Sequence, residues 1–376
     1  MANLFDYLIW RGDLTLSQSP FNDVDSLVLS TLSYVFFDGI VAENMEERIT
    51  IGEMVDKFLA RPRAEWKFRV SDDERLLYAL KESDRFSGMG LCGYVNKLDF
   101  QKEKQFAALT VLPGDGTVFV VYRGTDYSLV GWKENFNMCF MDDVPAQQDA
   151  AAYLCSAAEA FPQMRLRVSG HSKGGNLAVY AAAMCPKEVQ ECICAVYNHD
   201  GPGFRETVLV REGYQNILPR MRTFLPQFSV VGMLLEQKGQ EIVIRSNGSG
   251  ILQHEPYSWE ILGADFVKQN SLMEKSYFLD HTVSRWMNGL TEEQRELFID
   301  TIYEAVATAP VDDFGEASIS PKMIIHTLQA LHAEEEGTKI ISSGFRMLLE
   351  AARKTADEFA NRSRMDEGER RNQNEK

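Results

Sequence analysis

Apolar and polar positions change rhythm twice along this chain. Residues 1–80 carry the spacing of helical pieces. Val24 to Phe37 is apolar-rich and follows Asn22 and Asp23, whose short polar side chains suit N-caps. Ser71 to Ser83 predicts a second helix, opened by Ser-Asp-Asp-Glu, a capping box with Glu74 at its fourth position. From Phe106 the rhythm becomes that of strands. Phe106–Leu112 and Thr117–Tyr122 are short runs rich in β-branched and aromatic residues, and Pro113-Gly-Asp-Gly116 between them makes a turn, so together they predict a hairpin. Leu166–Ser169, Cys192–Tyr197, Met221–Leu225 and Glu241–Arg245 read as further strands, while the Ala-rich Gln148–Phe161 and Asn176–Cys185 read as helices. Strands alternating with helices imply βαβ units and a mostly parallel sheet. After about Asp280 the strands stop. Thr291–Ala307, Pro321–Glu334 and Lys339–Ala360 are helical patterns, and the nearly all-polar Asn361–Lys376 predicts a frayed or disordered tail. No internal repeat interrupts this order.

Composition narrows the function classes. With 376 residues the prior is about two domains, or one large α/β domain with appendages. Lys and Arg total 39 against 55 Asp and Glu, a net charge of −16. That surplus argues against non-specific nucleic-acid binding, which needs a cationic face, and against purely electrostatic attachment to anionic lipid. An apolar pocket inside an acidic shell remains compatible with it. The start shows no cationic stretch followed by a long apolar core, so no secretory signal is expected. No apolar run approaches the roughly 18 residues that span a bilayer. The six cysteines (Cys92, Cys139, Cys155, Cys185, Cys192 and Cys194) are expected to be reduced thiols of a cytoplasmic protein. Cys192 and Cys194 are too close for usual metal-ligand spacing, and no metal or organic cofactor is implied.

The strongest chemical signal is Gly170-His-Ser172-Lys-Gly174, preceded by a short apolar strand and followed by an Ala-rich helix. Gly-x-Ser-x-Gly in that setting reads as a nucleophile elbow, a turn so sharp that the serine hydroxyl is exposed. The Lys173 N–H at the helix start can then face a developing oxyanion. A tight turn with a helix-capping serine is the bland alternative. A phosphate loop fits worse, because the Gly-Lys-Ser/Thr ending is missing. Upstream, Tyr122-Arg-Gly-Thr-Asp126 follows a strand, with Gly131-Trp-Lys-Glu-Asn135 just beyond. A loop there is where hydrolases place a second oxyanion donor, and Thr125 is the candidate. Arg123 reads as structural.

The pair Tyr-Arg-Gly-Thr-Asp and Gly-His-Ser-Lys-Gly-Gly resembles the class 3 lipase branch of the α/β-hydrolases. Together with Gly-Trp-Lys-Glu-Asn-Phe-Asn-Met, Asn-His-Asp-Gly-Pro-Gly-Phe and Gln-His-Glu-Pro, it is similar to a lipase-like family of bacterial proteins. The resemblance covers roughly residues 70–285. It implies an α/β-hydrolase fold over 70–285; the helical patterns on either side read as an N-terminal helical extension packed on the core over 1–69 and a helical appendage over 286–360, followed by the charged tail over 361–376. The resemblance also implies that Thr125 is the oxyanion residue and Ser172 the nucleophile.

A triad histidine should follow the nucleophile. His254, a short loop after the last predicted strand, is the best base. His281 looks helical, His171 and His199 read as structural or oxyanion-loop groups, and His326 and His332 as surface or packing residues. The acid departs from the class 3 pattern. Where Asp-x-Val-Pro is expected, the chain has Phe224-Leu-Pro-Gln-Phe-Ser229, with no carboxylate. Ser229 can occupy that place, or Asp200 can act from the loop after the preceding strand. Asp200 can alternatively serve only to hold its Gly-Pro-Gly loop. Loss of a triad acid costs about 10⁴ in turnover, so its identity matters.

Met138, Phe140, Met141 and Val144 form an apolar stretch suited either to a lid over acyl chains or to core packing. The expectation is a serine esterase acting on a small-molecule or lipid ester, lysolipid included. A catalytically silent hydrolase fold, with its C-terminal helices as a protein-binding surface, is the alternative. A peptidase or thioesterase using the same Ser-His machinery is a third reading.

Overall fold

A computed structural model describes residues 1–126, 128–138, 141–291, 293–294, 297, 342–344, 346–356 and 358–359. It divides into two compact units, Met1–Leu272 and Met273–Lys376.

The first unit is built on one sheet of eight strands in the order β1 to β8. These are β1 (Ile49–Thr50), β2 (Gly90–Asp99), β3 (Lys104–Leu112), β4 (Thr117–Tyr122), β5 (Arg165–His171), β6 (Ile193–His199), β7 (Met221–Pro226) and β8 (Gln240–Ile244). The first four pair antiparallel, and β4 to β8 run parallel. The expected hairpin is therefore one edge of a meander. Its missing member is β2, whose pairing with β3 shifts register between Cys92 and Val95. Gly90, Gly93 and Asn96 dilute the alternation that would have announced a strand. A two-stranded ribbon of β9 (Ile261–Leu262) and β10 (Asp265–Phe266) follows.

Side chains of β4 show how the sheet divides the core. Val118, Val120 and Tyr122 join one apolar cluster with α6 (Pro145–Ala160) and α7 (Lys173–Met184). Phe119 and Val121 point the other way, into a cluster with α1 (Leu4–Arg11), α2 (Asp23–Leu32), α3 (Ile51–Leu59) and α4 (Ser71–Lys81). Both faces are covered, as a parallel sheet requires. The helix α5 (Leu129–Asn137) bridges β4 and α6, and the short α8 (Lys187–Cys192), α9 (Glu206–Leu209) and α10 (Glu212–Ile217) complete the crossovers. The parallel strands, helical crossovers and a Ser-bearing turn between β5 and α7 make this an α/β-hydrolase fold.

Every residue of α2 is buried. Such a helix must bond all its polar groups internally, and α2 does. Asn22 caps it, accepting from Val24 N (2.9 Å) and Asp25 N (3.1 Å). Asp25 pairs with the buried Arg85 (2.5 Å), and Ser30 Oγ reaches Ser169 Oγ of β5 (2.8 Å). The start of α4 differs from its expected capping box. Val70 is the N-cap, Ser71 is already helical, and Asp73 Oδ2 accepts from Val70 N at 3.1 Å. Glu74 turns outward to Arg63 instead (3.0 Å).

In the second unit, α11 (Glu274–Gly289) contains His281, as the helical reading expected. The described residues from 342 to 359 are also helical, and within this unit Arg285 pairs with Glu358 (2.6 Å). The expected helix over Pro321–Glu334, most of that over Thr291–Ala307, the tail, His326 and His332 lie outside the described residues. So do Cys139 and Phe140. Cys92, Cys155, Cys185, Cys192 and Cys194 are free thiols. Among the described residues, no helix is long and apolar enough to cross a membrane.

Candidate active site

Ser172 joins β5 to α7 with φ 58° and ψ −133°. A positive φ is strained for a non-glycine residue and persists only where its surroundings enforce it. Here the neighbours do so by close approach. A Cβ on Gly170 would lie 2.1 Å from Gly174 O, and one on Gly174 would lie 2.1 Å from Tyr122 O. Strand β5, helix α7 and the end of β4 thus meet at distances only glycine permits. Ser172 N donates to His199 O (2.9 Å), fixing the turn to β6. Ser172 itself is half-buried, and Lys173 N, first in α7, is among the N–H groups that a helix leaves without an internal acceptor.

His254 ends a 3₁₀ turn, Gly250–His254, after β8. Its Nδ1 is 2.6 Å from Asp200 Oδ2. Asp200 is fully buried and has φ 53°. Its other oxygen accepts from Ser229 Oγ (2.6 Å) and Gly232 N (3.2 Å). The two acid positions read from the sequence are therefore partners: Asp200 faces the histidine, and Ser229 supports Asp200 from behind. A carboxylate on Nδ1 requires the proton there and leaves Nε2 as the lone-pair nitrogen.

His171, just before the serine, lies against this histidine with ring centroids 4.5 Å apart. Its Nε2 donates to His254 O (2.8 Å), so Nδ1 is the acceptor for Tyr34 OH (2.8 Å). Both nitrogens are satisfied in the neutral ring. Burial, then the nearby His254, hold the His171 pKa well below its ordinary value. His199 is likewise neutral, lowered to about 3 by burial, with Nε2 on Ser26 Oγ (2.9 Å). Neither is placed as a base. His281 belongs to the second unit.

The loop after β4 runs beside the elbow. A Cβ on Gly124 would fall 2.7 Å from His171 O. Next along that loop, Thr125 is half-buried, and its Oγ1 accepts from Asn135 Nδ2 (2.6 Å). Arg123 is buried, donates to Asn96 Oδ1 (2.6 Å) and lies 4.6 Å from the Phe36 ring centre. Beneath the elbow, the Lys173 side chain turns inward. Its Nζ meets Glu134 Oε2 (2.5 Å) and Gln105 O (2.6 Å), joining α5, β3 and α7. Burial holds the Lys173 ammonium below its usual pKa, with Glu134 opposing.

The apolar stretch beyond α5 divides. Met138 and Val144 are buried and Met141 is exposed. The following Asp142 and Asp143 pair with Arg205 and Arg211, each at 3.1 Å. Tyr34, Arg69, Glu134, Gly232 and Glu255 were not identified from sequence as site residues. Glu134 and Glu255 lie inside quoted motifs, but their partners are remote in sequence. Among the described residues, no group of three or more His, Cys, Asp or Glu side chains could hold a metal ion.

The chain is similar in structure to several lipases at low identity. The nonglycosylated LIP2 lipase of Yarrowia lipolytica is 13% identical with a TM-score of 0.38, covering 65% of this chain and 94% of that one. The native Rhizomucor miehei lipase propeptide complex is 14% identical with a TM-score of 0.37, covering 62% and 75%. M37 lipase is 13% identical with a TM-score of 0.37, covering 65% and 84%. No curated protein matches the sequence. The profile of the Mbeg1-like family matches residues 80–304, more than half of the chain, from the end of α4 through Ser172 and His254 into the second unit. The chain belongs to the Mbeg1-like family.

Proposed function

We propose that this protein is a serine hydrolase that cleaves carboxylic esters. The observation that carries the reading is the 2.6 Å contact of His254 Nδ1 with buried Asp200, on the loop beside a strained Ser172 elbow. Ser172 Oγ attacks the ester carbonyl carbon as His254 Nε2 takes its proton. Asp200 holds the histidine tautomer and stabilises the imidazolium. Lys173 N–H and the Thr125 hydroxyl hold the oxyanion; Asn135 occupies an acceptor site of that hydroxyl and leaves its hydrogen to donate. The imidazolium returns its proton to the leaving alkoxide. Water, deprotonated by His254, then releases the acid and regenerates Ser172.

The substrate proposed is an ester with an apolar acyl chain, lipid or lysolipid included. Supporting this, Phe228, Val230, Met233 and Leu234 are half-exposed on the segment that holds Asp200, and Ile251 and Leu252 are exposed just before His254. The silent-scaffold alternative rests on a missing acid, and with Asp200 beside His254 no observation favours it. The test is turnover of aryl esters of increasing acyl length. Wild type should hydrolyse them, with kcat/KM rising with chain length, and Ser172→Ala should abolish turnover. Equal rates in wild type and Ser172→Ala would contradict the proposal.

A further inference from the structure

Three contacts converge on the base-bearing loop, and all three come from the N-terminal segment that precedes the family-matched region. Arg69 forks onto Glu255, the residue after His254, with Nη2 to Oε1 at 2.6 Å and Nη1 on the other oxygen. Its guanidinium also lies 4.5 Å from the Tyr34 ring centre. Asp73 Oδ1 accepts from Tyr257 OH at 2.8 Å, three residues after His254. Asp73 Oδ2 accepts from the Arg69 and Val70 N–H groups (2.9 and 3.1 Å), which fixes where Arg69 emerges. The third contact is indirect: Tyr34 OH bonds His171 Nδ1, whose Nε2 holds the His254 carbonyl.

We infer that Arg69 and Asp73 are positioning residues for His254, so that the N-terminal segment forms part of the hydrolase machinery. The loop after β8 has no long regular element of its own to fix a side chain. The Arg–carboxylate fork restricts both distance and plane, and the tyrosine contact on the far side of Pro256 pins the loop at a second point. Together they set the height of the imidazole above the elbow. Misplacement of a catalytic group by about 1 Å can cost roughly 10²-fold in rate.

This inference rests on the serine-hydrolase reading. It is tested on the full-length chain by the second-order rate of Ser172 modification by a fluorophosphonate, with thermal midpoints recorded for every variant. Arg69→Leu should slow modification by about 10- to 100-fold in folded protein, and Arg69→Lys should recover part of the loss. In a His254→Ala background, Arg69→Leu should change nothing further, because it acts through the histidine. If Arg69→Leu does not fold, Glu255→Gln and Arg69→Lys complete the same cycle. Folded single variants that react at the wild-type rate overturn the inference, as does an equal loss in both backgrounds, the mark of a general structural role. Unmodified wild type overturns the hydrolase reading and the inference with it, whereas reactive wild type with unaffected variants overturns the inference alone.

Discussion

Asp200 divides its two oxygens between different tasks. One meets His254, and the other is held by Ser229 and Gly232. Asp200→Asn should therefore cost about 10⁴ in turnover, because an amide no longer enforces the tautomer. Ser229→Ala removes one of two donors to the rear oxygen and leaves Gly232, so a loss of roughly tenfold is expected. Steady-state kinetics on one aryl ester distinguish them; a Ser229→Ala loss equal to that of Asp200→Asn would contradict this division of roles. From the sequence, Asp200 and Ser229 stood as competitors, since linear spacing cannot say that the loops after β6 and β7 fold onto each other. The turn at Ser172 and the position of His254 are easier to read: paired glycines between strand and helix mark the first, and the second follows β8, the last strand of the main sheet.

Among the elements, α5 is joined to the elbow by the fully buried Lys173–Glu134 pair. Breaking such a pair leaves an uncompensated buried charge, so Lys173→Met or Glu134→Leu alone should cost about 3–5 kcal/mol; the double variant should lose less than the sum, though not recover fully, because Glu134 also accepts from Gln105 N and Ala146 N. Denaturant midpoints measure it, and additive losses would contradict the coupling. Neither α5 nor β2 was predicted as an element, for different reasons. A strand bulged at Cys92–Val95 and interrupted by glycines loses its alternation, and α5 lies within loop-like motif residues whose contact to Lys173 through Glu134 is remote in sequence. The α4 cap moved to Val70 because Asp73, not Glu74, is drawn inward by Tyr257.

For the whole molecule, two neutral histidines are sealed between the N-terminal helices and the sheet. His199 is lowered by burial to about 3 from its ordinary 6.5, so between those values the unfolded chain binds a proton that the folded chain does not. Stability from this group is present above about pH 6.5 and falls by about 1.4 kcal/mol per pH unit as acidity increases toward pH 3. Asp23 and Asp73, raised by burial, act in the opposite sense. The comparison must therefore be wild type against His199→Asn. Their stability difference should narrow on acidification from pH 7 to pH 4, and parallel curves would contradict the assignment. The same burial explains what the sequence left open at this scale. The apolar run in α2 announced a helix but not that it would be buried throughout and bond Ser169 and His199 of the sheet. The expected domain edge at residue 285 falls inside α11, because a helix shows its period without showing which unit it joins.

In the proposed reaction Ser172 is a nucleophile activated by His254. Peptide mapping by mass spectrometry after fluorophosphonate treatment tests it most directly. A single adduct is expected on the Ser172 peptide, absent in Ser172→Ala and strongly slowed in His254→Ala. A folded wild-type protein that takes no adduct, or takes it on another residue, would contradict it.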